Sequence, residues 1–482
     1  MNPQIRKLFV VTTALFAVLG VAVTMVQFVL APSLVADQRN TRRYLQAAER
    51  DRGPIIVLDF AVAVSKKQEG TSSYQRLYPE GELYAAVTGY FSAINMSATG
   101  IEAAENAVLE GSTNQLLWQR LHNMVAGKPR QGGGVRLTLN PSMQGRAADL
   151  LGDRAGAVVA LDAQTGAVLA LYSSPSFDPQ PLASLDSAVA AEAAEALEQD
   201  PARPLDNRAI AGNRYAPGST FKILTAVALL ENGTSPGTLM ESPQTTLLPG
   251  TSTEVQNVNG TTCGDGNPTF AEAFARSCNT TFVIASEGLP EGALQDVTAR
   301  FGFGETLRIP LTVTPSVFPE HPDPAQLALS AMGQSDVQVT PLQMAMVAQA
   351  IAKEGVMMQP YLVESVVDAD NKELMGTVPR ELSNPVRAAI ADEVAEMMVD
   401  AVQKPYGSAA RAAVPGVVVA AKTGTAEVGN GRTNAWTVGF APADDPRIVV
   451  AVIVEGSDAN PTPAGGAVAA PIVGQLLEVG LR

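Results

Sequence analysis

Histidine and cysteine are nearly absent from this chain: its 482 residues hold two of each. His122 and His321 lie far apart with no repeated ligand spacing, so a zinc site would have to borrow carboxylates, and the sequence points away from a zinc enzyme. The same scarcity argues against a Ser-His-Asp hydrolase, and no Gly-x-Ser-x-Gly elbow occurs. Positive charge is scarce too. The net charge is −15 and the pI near 4.7, which excludes nucleic-acid binding, since that needs clustered cations to release counterions from phosphate. What remains is a globular composition, 46% apolar and 17% charged, at a length that implies two or more domains.

One long apolar run stands out, from Leu8 to Ala31, interrupted only by Thr12, Thr13, Thr24 and Gln27 and preceded by Arg6 and Lys7. It is long enough to span a bilayer, which takes roughly 20 helical residues. A cleaved signal peptide has a shorter apolar core, and neither Ala31 nor Ala36 ends a convincing small-x-small site, so the reading is an uncleaved single-pass anchor. Arg39, Arg42 and Arg43 outnumber Arg6 and Lys7, which by charge alone opposes an outside body. The body is nevertheless placed outside the cell membrane, because a large following domain is translocated regardless of charge and because the chemistry below belongs there.

Composition divides the chain into a tip and anchor (1–32), a small amino-terminal domain with its linker (33–134), and a larger carboxy-terminal domain (135–482). The second boundary falls at Gly132-Gly133-Gly134, beside Lys128, Pro129 and Arg130, a composition suited to a flexible linker. Strand-like runs at 157–161, 167–172, 417–421, 435–440 and 448–454 enclose a helix-rich middle with helical recurrence at 221–230, 340–353 and 384–402. The Ala-rich stretch 186–198 reads as an exposed helix, and 234–268, dense in Thr, Ser, Gly and Asn, as an irregular loop. The expected class is α/β of the α+β kind: one five-stranded antiparallel sheet whose ends meet, covered by helices.

Three strings then appear in order: Ser219-Thr220-Phe221-Lys222, Ser277-Cys278-Asn279 and Lys422-Thr423-Gly424-Thr425. Pro217-Gly218 precede Ser219 and an apolar run follows it, which places the serine in the first turn of a helix, where free N–H groups and the helix dipole favour an oxyanion. Lys222, three residues on, shares its helical face, with Cβ atoms about 5–6 Å apart. Burial and the like charge of Lys422 would push its pKa down and let it act as a base. Strand alternation puts Lys422 and Gly424 on one side and turns Thr423 away; the bare Gly424 leaves room for substrate, and Lys422 attracts a carboxylate. Each string alone is an ordinary cap, turn or surface lysine. Their order over one domain of fitting length is not.

From about residue 135 onward the chain resembles the transpeptidase domain of class B penicillin-binding proteins, with the short amino-terminal domain most like actinobacterial members. The likeness rests on the three strings and on Gly166 to Pro179, Asn207-Arg208-Ala209, Thr340-Pro341-Leu342-Gln343, Asn434 to Pro442 and the entry motif Arg52-Gly53-Pro54-Ile55. The resemblance implies the penicillin-recognising serine transpeptidase fold, with a helical subdomain beside the sheet, and peptidoglycan D,D-transpeptidation without metal or cofactor. Ser219 would attack the penultimate D-Ala carbonyl of a donor stem peptide and Lys222 would take its proton. Ser277 would relay a proton to the leaving nitrogen, Asn279 would hold the substrate amide and Lys222, and the N–H groups of Ser219 and Thr425 would form the oxyanion hole. Lys422, Thr423, Gly424 and Thr425 would bind substrate, an amine of an acceptor stem would take the acyl group, and β-lactams would acylate Ser219. A separate membrane glycan polymerase and the elongation or division machinery are the implied partners, because the region before residue 130 is too small for a glycosyltransferase.

An extracytoplasmic location permits a Cys263–Cys278 disulfide, with two reduced thiols as the other possibility. Four rival readings stand beside this one. A serine β-lactamase would need a placed base for deacylation, a D,D-carboxypeptidase would give the acyl group to water, and a β-lactam sensor or a divisome scaffold would need no turnover.

Overall fold

The computed structural model describes residues 3–30, 48–113 and 131–482; His122 and the expected linker residues Lys128 to Arg130 lie outside them. The catalytic body is built on five antiparallel strands, β1 (Gly156–Asp162), β2 (Val168–Ser174), β3 (Ala420–Gly429), β4 (Arg432–Ala441) and β5 (Ile448–Val454), in spatial order β3-β4-β5-β1-β2. The ends of the domain therefore meet: Ile448 lies opposite Asp162 and Val454 opposite Gly156. Period-two alternation supplies both faces with apolar side chains. Val159, Leu161, Val449, Ala451 and Ile453 enter one core, and Val158, Ala160, Val450 and Val452 the other.

The helices that matter to the site are α1 (Lys222–Glu231), α2 (Phe270–Arg276), α3 (Asn279–Glu287), α4 (Pro341–Ala352) and α5 (Gly465–Leu481). All 12 residues of α4 are buried, as an all-round apolar helix must be. Its two glutamines are satisfied: Gln343 donates to Phe301 O and Gln349 to Ala163 O, both at 2.8 Å. Helix α5 covers the opposite face, with Ile472, Val473, Leu476 and Leu477 in the second core.

Several local expectations change. The run read as a strand over 417–421 instead starts at Ala420 and continues to Gly429, so the third string lies on the sheet's edge strand, as its alternation required. The helix read from Asn384 begins at Ala388, consistent with the exclusion of the residue before Pro385 from helical geometry. The loop 234–268 contains a hairpin, Thr245–Leu247 paired with Glu254–Gln256.

Amino-terminal strands Ile55–Val57, Phe60–Lys67 and Tyr74–Leu77 do not form a sheet alone. They continue through Gly134–Leu137 into Val363–Val367 and Glu373–Gly376, six strands in all, the last two from inside the catalytic segment. Nor is the glycine triplet slack, as its composition had suggested. Gly132 N–H donates to Asp51 O at 2.8 Å and Gly133 N–H to Val108 O at 2.9 Å, and a Cβ on Gly132 would sit 1.8 Å from Leu109 O. Glycine is needed there for close backbone approach rather than for flexibility.

Near the amino terminus, Pro3–Gln27 is helical with mean hydropathy 2.4, long and apolar enough to cross a membrane. The hydroxyls of Thr12, Thr13 and Thr24 each bond the carbonyl four residues back, so these polar groups are satisfied within the helix.

Candidate active site

Ser219 lies in a 3-10 turn, Gly218–Phe221, that leads directly into α1. Two close approaches make that turn. Gly218 has φ +53° and donates to Gly333 O at 2.9 Å, while a side chain on Gly333 would meet Gly218 O at 2.1 Å. Thr220 Oγ1 bonds Pro217 O, Phe221 stacks on Phe318, and Trp436 Nε1 donates to Ala216 O, so the turn is braced from strand β4 and from the core. Ser219 itself is half-buried, and among the described residues no hydrogen bond engages its hydroxyl.

Lys222 is fully buried beneath it. Its amine donates to Ser277 O at 2.9 Å, Cys278 O at 3.1 Å and Asn279 Oδ1 at 2.8 Å, three acceptors for the three hydrogens of an ammonium group. Burial, then the like charge of Lys422, hold the Lys222 pKa well below the ordinary lysine value. Lys422, also fully buried, donates to Ser277 Oγ at 2.8 Å and to Thr423 O at 3.1 Å, and burial lowers its pKa to about 7. Neither amine forms an ion pair among the described residues, and each instead lies over a phenylalanine ring, Phe282 and Phe274 respectively. The structure thus brings Lys222, Ser277, Asn279 and Lys422 into one hydrogen-bonded cluster.

Ser277 takes its place because the chain turns sharply there: it is the left-handed C-cap of α2, and Asn279 opens α3 two residues later. On β3, alternation divides the string. Lys422 and Gly424 face the serine turn and α1, whereas the Thr423 hydroxyl turns to Ser408 Oγ at 3.0 Å and Thr425 Oγ1 accepts from Gly465 N–H at 3.2 Å, at the start of α5. Gly424 does not open space for a ligand as its lack of a side chain suggested. A Cβ there would meet Pro217 O at 2.9 Å and Thr220 N at 3.0 Å, so the missing side chain lets the serine turn close on the strand. The Thr425 carbonyl lies against Gly218, on the edge away from β4, and in an antiparallel strand the N–H of the same residue points that way too.

Cys263 and Cys278 are bonded, with Cα atoms 6.0 Å apart. The bridge ties the loop after the 245–256 hairpin to the middle residue of the second string. In that same loop lies Asn257, buried at 4% exposure, whose side chain caps α3; nothing in the local composition had marked it. No group of three or more His, Cys, Asp or Glu that could hold a metal occurs among the described residues, and His321 is exposed.

Residues 156–478 match the penicillin binding protein transpeptidase domain, and 52–135 match the penicillin binding protein A dimerisation domain. The chain belongs to the penicillin-binding protein transpeptidase family. It is 40% identical to the peptidoglycan D,D-transpeptidase PbpA of Mycolicibacterium smegmatis, over 100% of this chain and 99% of that one. The PbpA of Mycobacterium tuberculosis is 39% identical with the same coverage. Penicillin-binding protein A from M. tuberculosis in its penicillin G acyl-enzyme complex superposes with TM-score 0.84 at 38% identity, covering 90% of this chain and 100% of that chain. Its imipenem acyl-enzyme complex gives 0.85 at 38%, covering 91% and 100%.

Proposed function

We propose that this protein is a membrane-anchored peptidoglycan D,D-transpeptidase that works through an acyl-enzyme on Ser219 and is acylated there by β-lactams. The observation that carries the reading is the cluster of Lys222, Ser277, Asn279 and Lys422 beside a serine turn that packs against the edge strand β3. The whole-length likeness to mycobacterial peptidoglycan D,D-transpeptidases supports it.

In the donor step, Ser219 Oγ attacks the carbonyl of the penultimate D-Ala and its proton passes to Lys222, which burial and Lys422 favour as a neutral amine. To accept it, the amine exchanges one of its three present acceptors for the serine. The oxyanion forms between the Ser219 N–H, at the start of the turn into α1, and the outward N–H of Thr425. The C–N bond then breaks and the leaving nitrogen of D-Ala takes a proton from Ser277, which Lys422 replenishes through its 2.8 Å bond. Lys422 and the Thr425 hydroxyl, whose oxygen already accepts from Gly465, draw the terminal carboxylate. An amine from a neighbouring stem attacks the ester carbonyl and gives its proton to Ser277 and through it to Lys422, while the bond from the acyl carbon to Ser219 Oγ breaks and Ser219 takes back the proton held on Lys222. Among the described residues no carboxylate hydrogen-bonds any member of the cluster, which favours transfer to an amine over the base-assisted deacylation of a β-lactamase.

The apolar helix anchors the domain outside the cell membrane, where stem peptides are found. A separate membrane glycan polymerase of the elongation or division machinery supplies the glycan strands. The test is a fluorescent penicillin label followed by peptide mapping: the label should fall on Ser219 and vanish in Ser219→Ala. A label elsewhere, or one retained by the variant, sinks the assignment. Product analysis with and without an amine acceptor then separates transpeptidation from hydrolysis to a shortened stem.

A further inference from the structure

We propose that Asn257 is a positioning residue for the base Lys222, acting through Asn279. The proposal rests on the reading of Lys222 as the base. Helix α3 begins at Asn279, and its first-turn N–H groups need acceptors. The residue at the N-cap is Cys278, whose side chain makes no capping bond and is committed to the disulfide. Asn257 supplies from 22 residues away what a local cap would give: its Oδ1 accepts from Asn279 N–H at 2.8 Å and from Thr280 N–H at 3.1 Å. Its own amide is fixed in turn, with Nδ2 donating to Pro243 O at 2.9 Å and Thr261 O at 3.3 Å and lying 3.0 Å from Thr280 Oγ1.

The preceding residue completes the hold. Gln256 O accepts from Asn279 Nδ2 at 3.0 Å, so the other end of that amide, Oδ1, is the one presented to Lys222 at 2.8 Å. Residues 256 and 257 thus set both the backbone position and the side-chain orientation of Asn279. Without Asn257, two first-turn N–H groups lose their acceptor and the amide that holds Lys222 loses its fixed base. The residue that Asn257 holds is the one whose side-chain amide accepts from the Lys222 amine.

The experiment uses the full chain and measures acylation by fluorescent penicillin across pH, with Tm recorded for each variant. Asn257→Ala should acylate at least tenfold more slowly. Placed in an Asn279→Ala background, the same substitution should cost less than twofold, because its route to Lys222 is already gone. Asn257→Asp keeps an acceptor for both N–H groups, which suits a helix N-terminus, while giving up the Nδ2 bonds to Pro243 O and Thr261 O, so its Tm should fall without loss of the fold. It adds a negative charge near Lys222, whose charged neighbour is otherwise Lys422, and so should move the rising limb of the acylation profile to higher pH. Acylation of Asn257→Ala within twofold of wild type, or an equal loss in both backgrounds, overturns the proposal. If the alanine variant does not fold, the aspartate variant decides, and an unmoved limb overturns the proposal. Failure of the wild type itself to be labelled at Ser219 would instead strike the assignment of the active site.

Discussion

Lys422 Nζ donates to Ser277 Oγ at 2.8 Å with both residues buried, so an amine on the sheet's edge strand and a hydroxyl at the end of α2 are joined. That bond ties the strand that carries the third string to the helix end that carries the second. It also explains why a lysine is tolerated in the core: its amine is satisfied by a hydroxyl and a carbonyl rather than by a carboxylate, which leaves it easy to deprotonate.

A pH-dependent stability follows from Lys422. Burial lowers its pKa to about 7, against 10.5 for an ordinary lysine. Between those values the unfolded chain binds the proton and the folded one does not, so stability rises with pH across the window and is lost as pH falls through about 7. Urea midpoints measured from pH 6 to 10 should climb in the wild type and climb less in Lys422→Met. Parallel curves would show that the buried amine is not titrating there.

If Lys222 is the base, as proposed, its titration should be read in the acylation rate as well as in stability. Because its pKa is held well below the ordinary value, acylation should rise with pH through a limb in the accessible range, and Lys222→Ala should lose about 10²–10⁴-fold in acylation rate. Lys222→Arg should lose as much, since a guanidinium keeps its proton. Stopped-flow acylation at several pH values checks both. An arginine variant with near-normal rates would remove Lys222 from the role of base.

The sheet and the central helix were legible because their signals are local apolar runs: short ones bounded by turn residues at 157–161 and 448–454, and a longer one of helical length at 340–353. The three strings were legible because each is short and local. What composition could not reveal was contact between distant segments. Strand 363–367 joins an amino-terminal sheet by pairing with 134–137, which no local pattern encodes. Asn257 sits among polar residues that read as loop, and only the fold shows that it caps a helix 22 residues on. The missing side chain at Gly424 was read as room for substrate, but what fills the space is the serine's own turn.

Gly424 therefore makes a sharp test of how the turn meets the strand. A Cβ would lie 2.9 Å from Pro217 O and 3.0 Å from Thr220 N, both backbone atoms that cannot swing aside. Gly424→Ala should cost about 1–3 kcal/mol in stability, as overpacking does, and slow acylation at least tenfold by displacing Ser219 from β3. Chemical denaturation and penicillin labelling read the two effects separately. Normal acylation in a folded Gly424→Ala protein would mean that the turn can retreat without harm.

The disulfide predicts a linked pair of effects. Cys263 and Cys278 are separated by 15 positions, and closing a loop of that size stabilises by about 3 kcal/mol in the chain-entropy model. Cys263→Ser with Cys278→Ser should lose stability on that order and acylate more slowly, because Cys278 lies between Ser277 and Asn279. Thiol titration of the denatured, unreduced wild type should find no free thiol.

The last prediction concerns the amino-terminal layer, where Glu102, fully buried, accepts from Arg52 Nη2 at 2.8 Å and from Arg76 Nε at 2.6 Å. Burial raises its pKa, but Arg76 and then Arg52 outweigh burial and hold it below 4.5. The carboxylate therefore stabilises the fold at neutral pH, and that contribution is lost as pH falls through its depressed value. Glu102→Ala leaves two buried guanidinium groups without their counter-charge, which should cost about 3–5 kcal/mol. Arg52 carries the entry motif and Arg76 donates to Gly53 O at 2.9 Å, so the damage should begin around strand Ile55–Val57. Amide hydrogen exchange should show that strand losing protection before β5 does. Equal loss in both would mean that the amino-terminal layer and the catalytic sheet unfold as one unit.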